Sequence, residues 1–451
     1  MANRTLMKRI ALLALFSLPF LLGTARAQTE TVLYSFCAQQ HCSDGEAPST
    51  GLVFDQQGNL YGVTSTGGGG AYGVCNFYGR YSTCGTIYKV TPDGVETVLY
   101  NFCAKQQCTD GALPAAGLVF DKQGNLYGTA YSGGSQGHGV CSFAGVTGCG
   151  VVFKLTPEGK YTVLYNFCSR SNCSDGMYPS RRLVFDKQGN LYGTTVRGGD
   201  NRFCGWDNEG CGTIYKLTPE GKEIVLHNFC RQTNCSDGAN PLAGLIFDKR
   251  GNMYGTTVTG GAYCIFYGSE GCGVVYKLTP KGKYTVLHTF CSANEECYDG
   301  ALPDDGVILD HDGTLYGTTS EGGSHQWGYG HQWGVVFRLS AEGKETVLHN
   351  FCTQTNCTDG LSPNRITFGP GGNLYGTTWG GGAYGWGAVY KLTPDGAETI
   401  LYNFCSQTNC ADGAYPETGL IFDQQANMYG TTAWGDASGP LGDGVVYKIT
   451  P

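Results

Sequence analysis

The sequence predicts an all-β protein, a seven-bladed β-propeller that is closed by its own N-terminal strand. A unit of four strand-like segments occurs seven times, tight-turn sequences join the segments, and one isolated fourth segment opens the mature chain. Units spaced 53 to 66 residues apart suit propeller blades, because a coil of a parallel β-helix needs only about 20 residues. The phrase G-N-L-Y-G or a near variant marks the units at Tyr61, Tyr127, Tyr192, Tyr254, Tyr316, Tyr375 and Tyr429.

Residues 1–27 are predicted to be a cleaved signal peptide. Three basic residues precede the apolar run Ile10–Leu22, and Ala25-Arg26-Ala27 offers a small-x-small cleavage site. A run of this length is too short to span a bilayer. We therefore expect residues 28–451 to form one domain that is secreted or periplasmic, monomeric and without a membrane span.

Each repeat is predicted to fold as a four-stranded antiparallel meander. The first two strands are joined by D-x-x-G-N and the last two by T-P-x-G-x, which are tight-turn sequences. Residues 29–36 are a fourth segment alone, and residues 444–451 are a third segment alone. A ring explains this split, with strand 29–36 completing the seventh blade as its outer edge. The blades are expected at about residues 51–102, 117–167, 182–229, 244–290, 306–351, 365–404 and 419–451.

Composition argues against several classes of partner and chemistry. The net charge is −8, and it falls to −12 without the signal peptide, which holds four basic residues and no acid. Such an acidic chain is unsuited to nucleic acid or anionic lipid. The sequence contains no phosphate-binding loop. We expect no cofactor, no bound metal and no catalytic residues.

The cysteines occur in local pairs that predict disulfides. All 22 follow the signal peptide, and each pair is present or absent as a unit, so bonding within pairs is expected. Zinc, the alternative, would favour closer C-x-x-C spacing. Seven pairs follow the fourth strands: Cys37/Cys42, Cys103/Cys108, Cys168/Cys173, Cys230/Cys235, Cys291/Cys297, Cys352/Cys357 and Cys405/Cys410. Four more follow a double glycine in repeats one to four: Cys75/Cys84, Cys141/Cys149, Cys204/Cys211 and Cys264/Cys272.

One face of the disc is predicted to carry all of these cysteines. In a meander the connections alternate between the two ends of the sheet, so both kinds of cysteine loop lie at the same end, which we call the loop face. The loop between blades reads C-x(4–5)-C-x-D-G-x-x-P, with Asp44, Asp110, Asp175, Asp237, Asp299, Asp359 and Asp412. A ring of seven carboxylates could bind calcium, but a residue present in every blade usually serves the blade, and we interpret these as structural turn residues.

The tryptophans also map to the loop face, and their distribution is uneven. Five of the six lie in repeats five to seven, where the loops lack the second cysteine pair. An aromatic platform there would suit stacking on sugar rings or apolar peptide side chains. The alternative is that each indole packs the loop that a disulfide would otherwise hold. The candidate ligand-binding residues are Trp327, Trp333, Trp379, Trp386, Trp434, His325, His331 and Tyr384.

The repeat resembles that of a known family. G-L-V-F-D-K-Q-G-N-L-Y-G-T-T, then G-G, then G-V-V-F-K-L-T-P-E-G-K-Y-T-V-L-Y-N-F is similar to the Gloeobacter/Verrucomicrobia-type (GloVer) tandem repeat of exported bacterial proteins. This resemblance covers essentially the whole mature chain. V-F-D-x-x-G-N-L-Y is more distantly similar to the strand–turn–strand of NHL-type propellers. The GloVer resemblance implies an extracellular or envelope location and no assigned activity.

Three classes of function follow from these observations. We expect an exported, non-catalytic binding platform for an extracellular ligand of unknown identity, a glycan or a protein. The alternatives are a propeller lyase or hydrolase acting on a polysaccharide or lactone, and a structural envelope protein. Clustered acidic and histidine side chains at the channel mouth would favour the enzyme. An exposed aromatic patch would favour the binding platform, and buried tryptophans would favour the structural protein.

Overall fold

The computed structural model shows seven antiparallel sheets, one per repeat, and confirms the seven-bladed propeller. The predicted signal peptide lies outside the described residues. Within the described part of the chain, no helix is long and apolar enough to cross a membrane. The structure describes residues 28–70, 75–77, 80–135, 141–200, 209–261, 271–292, 297–324, 333–436 and 442–451.

Each blade has four strand positions from the axis outwards, and in blades two, six and seven the inner strand is split into two pieces. The inner strands are Val53–Phe54, Ala112–Pro114 with Val119–Phe120, Met177–Phe185, Ile246–Phe247, Val307–Leu309, Leu361–Pro363 with Thr367–Phe368, and Ala414–Pro416 with Ile421–Phe422. The second strands are Leu60–Thr64, Leu126–Ser132, Leu191–Arg197, Met253–Thr257, Leu315–Thr319, Leu374–Gly380 and Met428–Trp434. The third strands are Thr86–Val90, Val151–Leu155, Thr213–Leu217, Val274–Leu278, Val335–Leu339, Ala388–Leu392 and Val445–Thr450. The outer strands are Glu96–Asn101, Tyr161–Asn166, Glu223–Asn228, Tyr284–Thr289, Glu345–Asn350, Glu398–Asn403 and Thr29–Ser35.

Short elements decorate the loops. Two small hairpins lie between the second and third strands of blades one and two, formed by Cys75–Phe77 with Arg80–Ser82 and by Ser142–Phe143 with Val146–Thr147. Single 3-10 turns occupy the cysteine loops between blades and one tight turn of blade six. These turns are Gln40–Cys42, Gln106–Cys108, Ser171–Cys173, Thr233–Cys235, Thr355–Cys357, Thr408–Cys410 and Pro370–Gly372.

The N-terminal strand closes the ring. Thr29–Ser35 pairs antiparallel with Val445–Thr450, with Thr29 opposite Thr450 and Ser35 opposite Val445. The strand covers the outer edge of blade seven, an edge whose backbone groups would otherwise be free to pair with another chain. The predicted closure is therefore confirmed.

The hydrophobic core lies between neighbouring blades. At each junction, the phenylalanine after one outer strand packs at a steep angle against an aromatic ring of the next blade's third strand. The ring centroids are 4.8 to 5.3 Å apart. The pair Phe36–Tyr88 joins blade seven to blade one, so packing also closes the ring. The other pairs are Phe102–Phe153, Phe167–Tyr215, Phe229–Tyr276, Phe290–Phe337, Phe351–Tyr390 and Phe404–Tyr447.

The same aromatic rings explain the last glycine of G-N-L-Y-G. A Cβ atom added to Gly62 would meet the hydroxyl of Tyr88 at 2.4 Å. The corresponding distance from Gly430 to the hydroxyl of Tyr447 is also 2.4 Å. Only glycine lets the third-strand ring lie flat over the second strand, so this position is fixed by packing.

Disulfides cover the loop face and indicate an oxidising, non-cytoplasmic location. In blade two, the sulfur atoms of Cys141, Cys149, Cys168 and Cys173 all lie within 4.8 Å of one another, so two disulfides pack together. Cys211 and Cys272 are also disulfide-bonded, while Cys204 and Cys264 lie outside the described residues. The disulfides with both partners described are Cys37–Cys42, Cys75–Cys84, Cys103–Cys108, Cys141–Cys149, Cys168–Cys173, Cys230–Cys235, Cys291–Cys297, Cys352–Cys357 and Cys405–Cys410.

Candidate functional site: the loop-face cavity

The loop face opens at its centre into a cavity of about 520 Å³, which we call the loop-face cavity. Its wall is built mainly by the residues that follow the proline of each C-x-D-G-x-x-P loop, where the inner strand of a blade begins. A second ring of wall residues, including Ser65, Tyr131, Ser320 and Trp379, comes from the ends of the second strands. Because the inner strands surround the axis, residues from all seven repeats meet here.

The charge of the cavity wall differs from blade to blade. After the proline, blades one, two and four carry Ser49-Thr50, Ala115-Ala116 and Leu242-Ala243. The remaining blades place ionisable or amide side chains at the same positions. A repeated frame with asymmetric polar substitutions is the usual form of a ligand site on a ring. The charged residues of the wall are Arg181 and Arg182 in blade three, Asp304 and Asp305 in blade five, Arg365 in blade six and Glu417 in blade seven.

One ion pair crosses the cavity. The Arg181 guanidinium contacts the Asp305 carboxylate, joining blade three to blade five. Arg181 keeps 39% of its side chain accessible, whereas Asp305 keeps 6%. The Asp305 charge raises the pKa of Arg181, so the guanidinium group stays charged at physiological pH.

Two carboxyl groups of the cavity wall have pKa values near 7. Burial, and then the charge of Asp305, raises the pKa of Asp304 to about 7, although Arg181 opposes the shift. Burial raises the pKa of Glu417 to about 7 as well, with Arg181 lowering it and Asp305 raising it. At the cavity edge, burial and the nearby Asp304 raise the pKa of Glu321 to about 7. Carboxyls with such pKa values gain or lose a proton readily near pH 7.

Hydrogen bonds between blades hold the wall in place. The Thr256 hydroxyl donates to the Pro303 carbonyl at 2.6 Å, and the Thr377 hydroxyl donates to the Thr418 carbonyl at 2.8 Å. The Asn364 side-chain amide donates to the Pro416 carbonyl at 2.6 Å. Each bond ties the inner strand of one blade to the neighbouring blade, so the charged side chains project from a rigid frame.

Two stacked aromatic pairs lie at the mouth of the cavity. Trp379 stacks on Tyr415 with ring centroids 4.6 Å apart and an interplanar angle of 22°. Tyr131 stacks on Tyr178 at 4.9 Å and 12°. Trp379 is 43% exposed and lines the cavity, so a ligand there can contact the indole.

The other predicted tryptophans have different surroundings. Trp333 and Trp386 form backbone bridges with Gly322 and Gly381, in the way that Cys84 bridges with Gly67. They therefore occupy the positions at which earlier blades place the second cysteine of the loop pair. Trp386 also packs against Tyr415 at 5.0 Å. The ring contact supports loop packing for the Trp386 indole, and the backbone bridge places Trp333 at the equivalent loop position.

The remaining candidate residues are scattered or lie beyond the described chain. Trp434 is half-buried at the end of a second strand. Tyr384 is 54% exposed and is not part of the cavity wall. Of the tryptophans that the structure describes, only Trp379 lines the cavity. Trp327, His325 and His331 lie outside the described residues.

The loop aspartates are engaged within their own loops. Asp44 accepts hydrogen bonds from the hydroxyl of Tyr34 at 2.7 Å, from the amide of Ala38 at 2.9 Å and from the amide of Gln39 at 3.3 Å. The same set surrounds Asp110. The carboxylates lie between adjacent blades and pin the disulfide loop to the outer strand, which is a structural task.

The charged cavity residues were not singled out by sequence reasoning, although a signal was present. The repeat reads P-x-x-G-L in most copies, and the two x positions and the glycine vary in composition from blade to blade. Arg182 and Arg365 stand where five blades have glycine. Variation at a fixed position that faces the axis would have identified the site.

Comparison with known proteins identifies the family. The family described as Gloeobacter/Verrucomicrobia repeat matches residues 138–355 and 326–451, and the chain belongs to this family. No curated protein sequence matches the chain.

Three solved structures illustrate the structural similarity. A luciferin-regenerating enzyme is 16% identical with a TM-score of 0.42, covering 75% of this chain and 91% of its own. A gluconolactonase from Xanthomonas campestris is 14% identical with a TM-score of 0.39, covering 77% and 86%. PorZ, a surface component of the type-IX secretion system of Porphyromonas gingivalis, is 13% identical with a TM-score of 0.49, covering 88% and 46%. All three scores are below 0.5, so no conclusion about activity is drawn from them.

Proposed function

We propose that this Gloeobacter/Verrucomicrobia repeat protein is an extracytoplasmic binding protein that holds a saccharide in its loop-face cavity. The observation that carries the proposal is the asymmetric set of charged side chains on the wall of a cavity of about 520 Å³. A cavity of this volume lies in the range of small-molecule sites, which span about 300–1,000 Å³. Polar groups projecting from a rigid frame suit a ligand with many hydroxyl groups.

The aromatic pairs at the mouth support a saccharide over a purely ionic ligand. An exposed indole face can stack on the apolar face of a sugar ring, while the polar wall hydrogen-bonds its hydroxyls. Trp379 is both exposed and part of the wall. Its stacking partner Tyr415 fixes the orientation of the indole, so little conformational entropy is lost when a ligand binds.

A glycan array with the mature chain, followed by calorimetric titration of the strongest saccharide, tests the proposal. Trp379→Ala should weaken binding by about five- to tenfold, because one stacking contact is worth about 1 kcal/mol. Tyr384→Ala removes an exposed aromatic side chain outside the cavity and serves as the control. Equal affinity of the Trp379→Ala variant and the parent protein would contradict the site, and binding of no saccharide would contradict the function.

A second candidate function, a lyase or hydrolase, is supported by one specific observation. Asp304 and Glu417 share the cavity, and burial brings the pKa of each carboxyl to about 7, as general acid–base catalysis at neutral pH requires. An enzyme of this kind would release reducing ends or unsaturated sugars from a bound polysaccharide. Product release by the parent protein that is lost in Asp304→Asn and Glu417→Gln would establish the enzyme. Binding of the polysaccharide without product release would support the binding protein instead.

A further inference from the structure

We propose that the bound saccharide carries an anionic group, a carboxylate or a sulfate, that is held by Arg182 and Arg365. This inference rests on the proposed function and names the class of ligand for the same cavity. It depends on the position of these two arginines, on their ion-pairing and on the charge balance of the wall.

The two arginines occupy special positions. Each stands at the ring position where the other five blades have glycine, namely Gly51, Gly117, Gly244, Gly306 and Gly419. The inner turns are packed closely, since a Cβ on Gly244 would lie 2.8 Å from the Arg182 carbonyl, and a Cβ on Gly419 would lie 2.8 Å from that of Arg365. Both arginine side chains line the cavity. Nothing in the repeat frame itself requires a large cation at this position.

Neither arginine has an ion-pair partner within the part of the chain that the structure describes. The Asp305 carboxylate, whose charge raises the pKa of Arg365, is in an ion pair with Arg181. Burial, and then repulsion from Arg182, lowers the pKa of Arg365 to about 10. Burial also lowers the pKa of Arg182. Arg182 is exposed and Arg365 is half-buried, so a ligand in the cavity can reach both side chains. An anion between them would offset the repulsion between the two guanidinium groups.

The charge balance of the wall favours the same ligand. The charged and titratable groups that face the cavity are Arg181, Arg182, Arg365, Asp304, Asp305, Glu417 and, at its edge, Glu321. Below pH 7, Asp304, Glu417 and Glu321 are mostly protonated, and the Arg181–Asp305 pair is neutral as a unit. The cavity then holds two uncompensated positive charges. Their planar guanidinium groups match the oxygen geometry of a carboxylate or a sulfate.

Three sugars on one scaffold test the inference: D-glucose, D-glucuronate and D-glucose 6-sulfate. The thermal midpoint of the mature chain is measured with each sugar at pH 5.5 and at constant ionic strength, and apparent dissociation constants are taken from the concentration dependence. We expect the anionic sugars to bind at least about tenfold more tightly than glucose. Comparing D-glucuronate with D-glucose 6-sulfate shows whether the site prefers a carboxylate or a sulfate.

Substitutions of Arg182 and Arg365 test whether these residues cause the preference for anionic sugars. Arg182→Met and Arg365→Met should each reduce the preference for the anionic sugar about tenfold, while Arg182→Lys and Arg365→Lys should retain part of it. Arg250→Met, an exposed arginine in a tight turn, is the control. Should the Met variants lose stability on their own, the Lys variants and the parent protein still decide the result.

The outcomes are distinguishable. No preference for either anionic sugar over glucose in the parent protein overturns the inference, as does an anion preference that both Met variants keep. Glucose binding that depends on Trp379, without an anion preference, would leave the proposed function standing and remove this inference alone. Absence of binding by all three sugars, together with a blank glycan array, would remove both.

Discussion

At the scale of single residues, the junctions between blades hold buried carboxyls that make stability depend on pH. A glutamate stands at the start of the outer strand in four blades and at its second residue in blade seven, and two blades have tyrosine at the start: Glu96, Glu223, Glu345, Glu398 and Glu30, and Tyr161 and Tyr284. Glu398 keeps 8% of its side chain accessible and lies 3.6 Å from the Nε2 atom of His349. Burial, and then the charge of Asp359, raises the pKa of Glu398 to about 8. The Tyr161 hydroxyl instead donates to the Asp110 carbonyl at the equivalent junction.

These glutamates should make the protein more stable at pH 5.5 than at pH 8. A carboxyl whose folded pKa lies above its unfolded value of about 4.5 binds its proton more tightly in the folded state. Its contribution is fully present below pH 4.5 and is lost as the pH rises through about 8. Glu398→Gln should therefore raise the free energy of unfolding at pH 8 by about 1–3 kcal/mol and change it little at pH 5.5.

Urea denaturation of the parent and variant at both pH values measures this effect. Glu342→Gln, at an exposed position, is the control and should leave the pH slope unchanged. A Glu398→Gln variant with the same pH slope as the parent would show that the junction carboxyl is not the cause. His349, whose pKa is lowered first by burial, is neutral at pH 8 and does not mask the result.

At the scale of structural elements, the N-terminal strand is the piece on which closure depends. It supplies the whole outer strand of blade seven and is followed by Phe36, which packs on Tyr88 of blade one. It also carries Glu30, which the Gln407 side-chain amide contacts at 3.2 Å. One strand therefore joins blades six, seven and one.

Deletion of residues 28–36 should destabilise the protein by about 3 kcal/mol or more, because it exposes a strand edge and removes a buried phenylalanine. Thermal denaturation measures the loss, with deletion of the exposed Pro451 as the control. A synthetic peptide of residues 28–36 should restore part of the thermal midpoint by filling the vacant strand position. A truncated protein that melts with the parent would contradict closure by this strand.

At the scale of the whole molecule, the fold could be predicted from sequence because every determinant is local and repeated. The turns and the strand pattern are each visible within one repeat, and the split seventh repeat is visible when the first and last segments are compared. The loop-face cavity could not be predicted in the same way. Arg182 and Arg365 lie three repeats apart in the sequence, and only closure of the ring brings both to the same cavity.

The tryptophans show that residues close in sequence can lie in different structural surroundings. Trp379 and Trp386 are close in sequence and suggested one platform, but their backbone positions give them different tasks. Trp386 takes the place of a loop cysteine, whereas Trp379 ends a second strand and faces the axis. An alignment of the repeats that uses the second cysteine of the loop pair as a reference distinguishes Trp386 from Trp379 without a structure.

A crystal structure of the mature chain with its tightest-binding saccharide would show whether the ligand binds in the loop-face cavity. We predict saccharide density inside the cavity, beside the Trp379 indole and within hydrogen-bonding distance of the Arg182 or Arg365 guanidinium. An ordered saccharide on the outer rim, near Tyr384 or Trp386, with no density inside the cavity would contradict it.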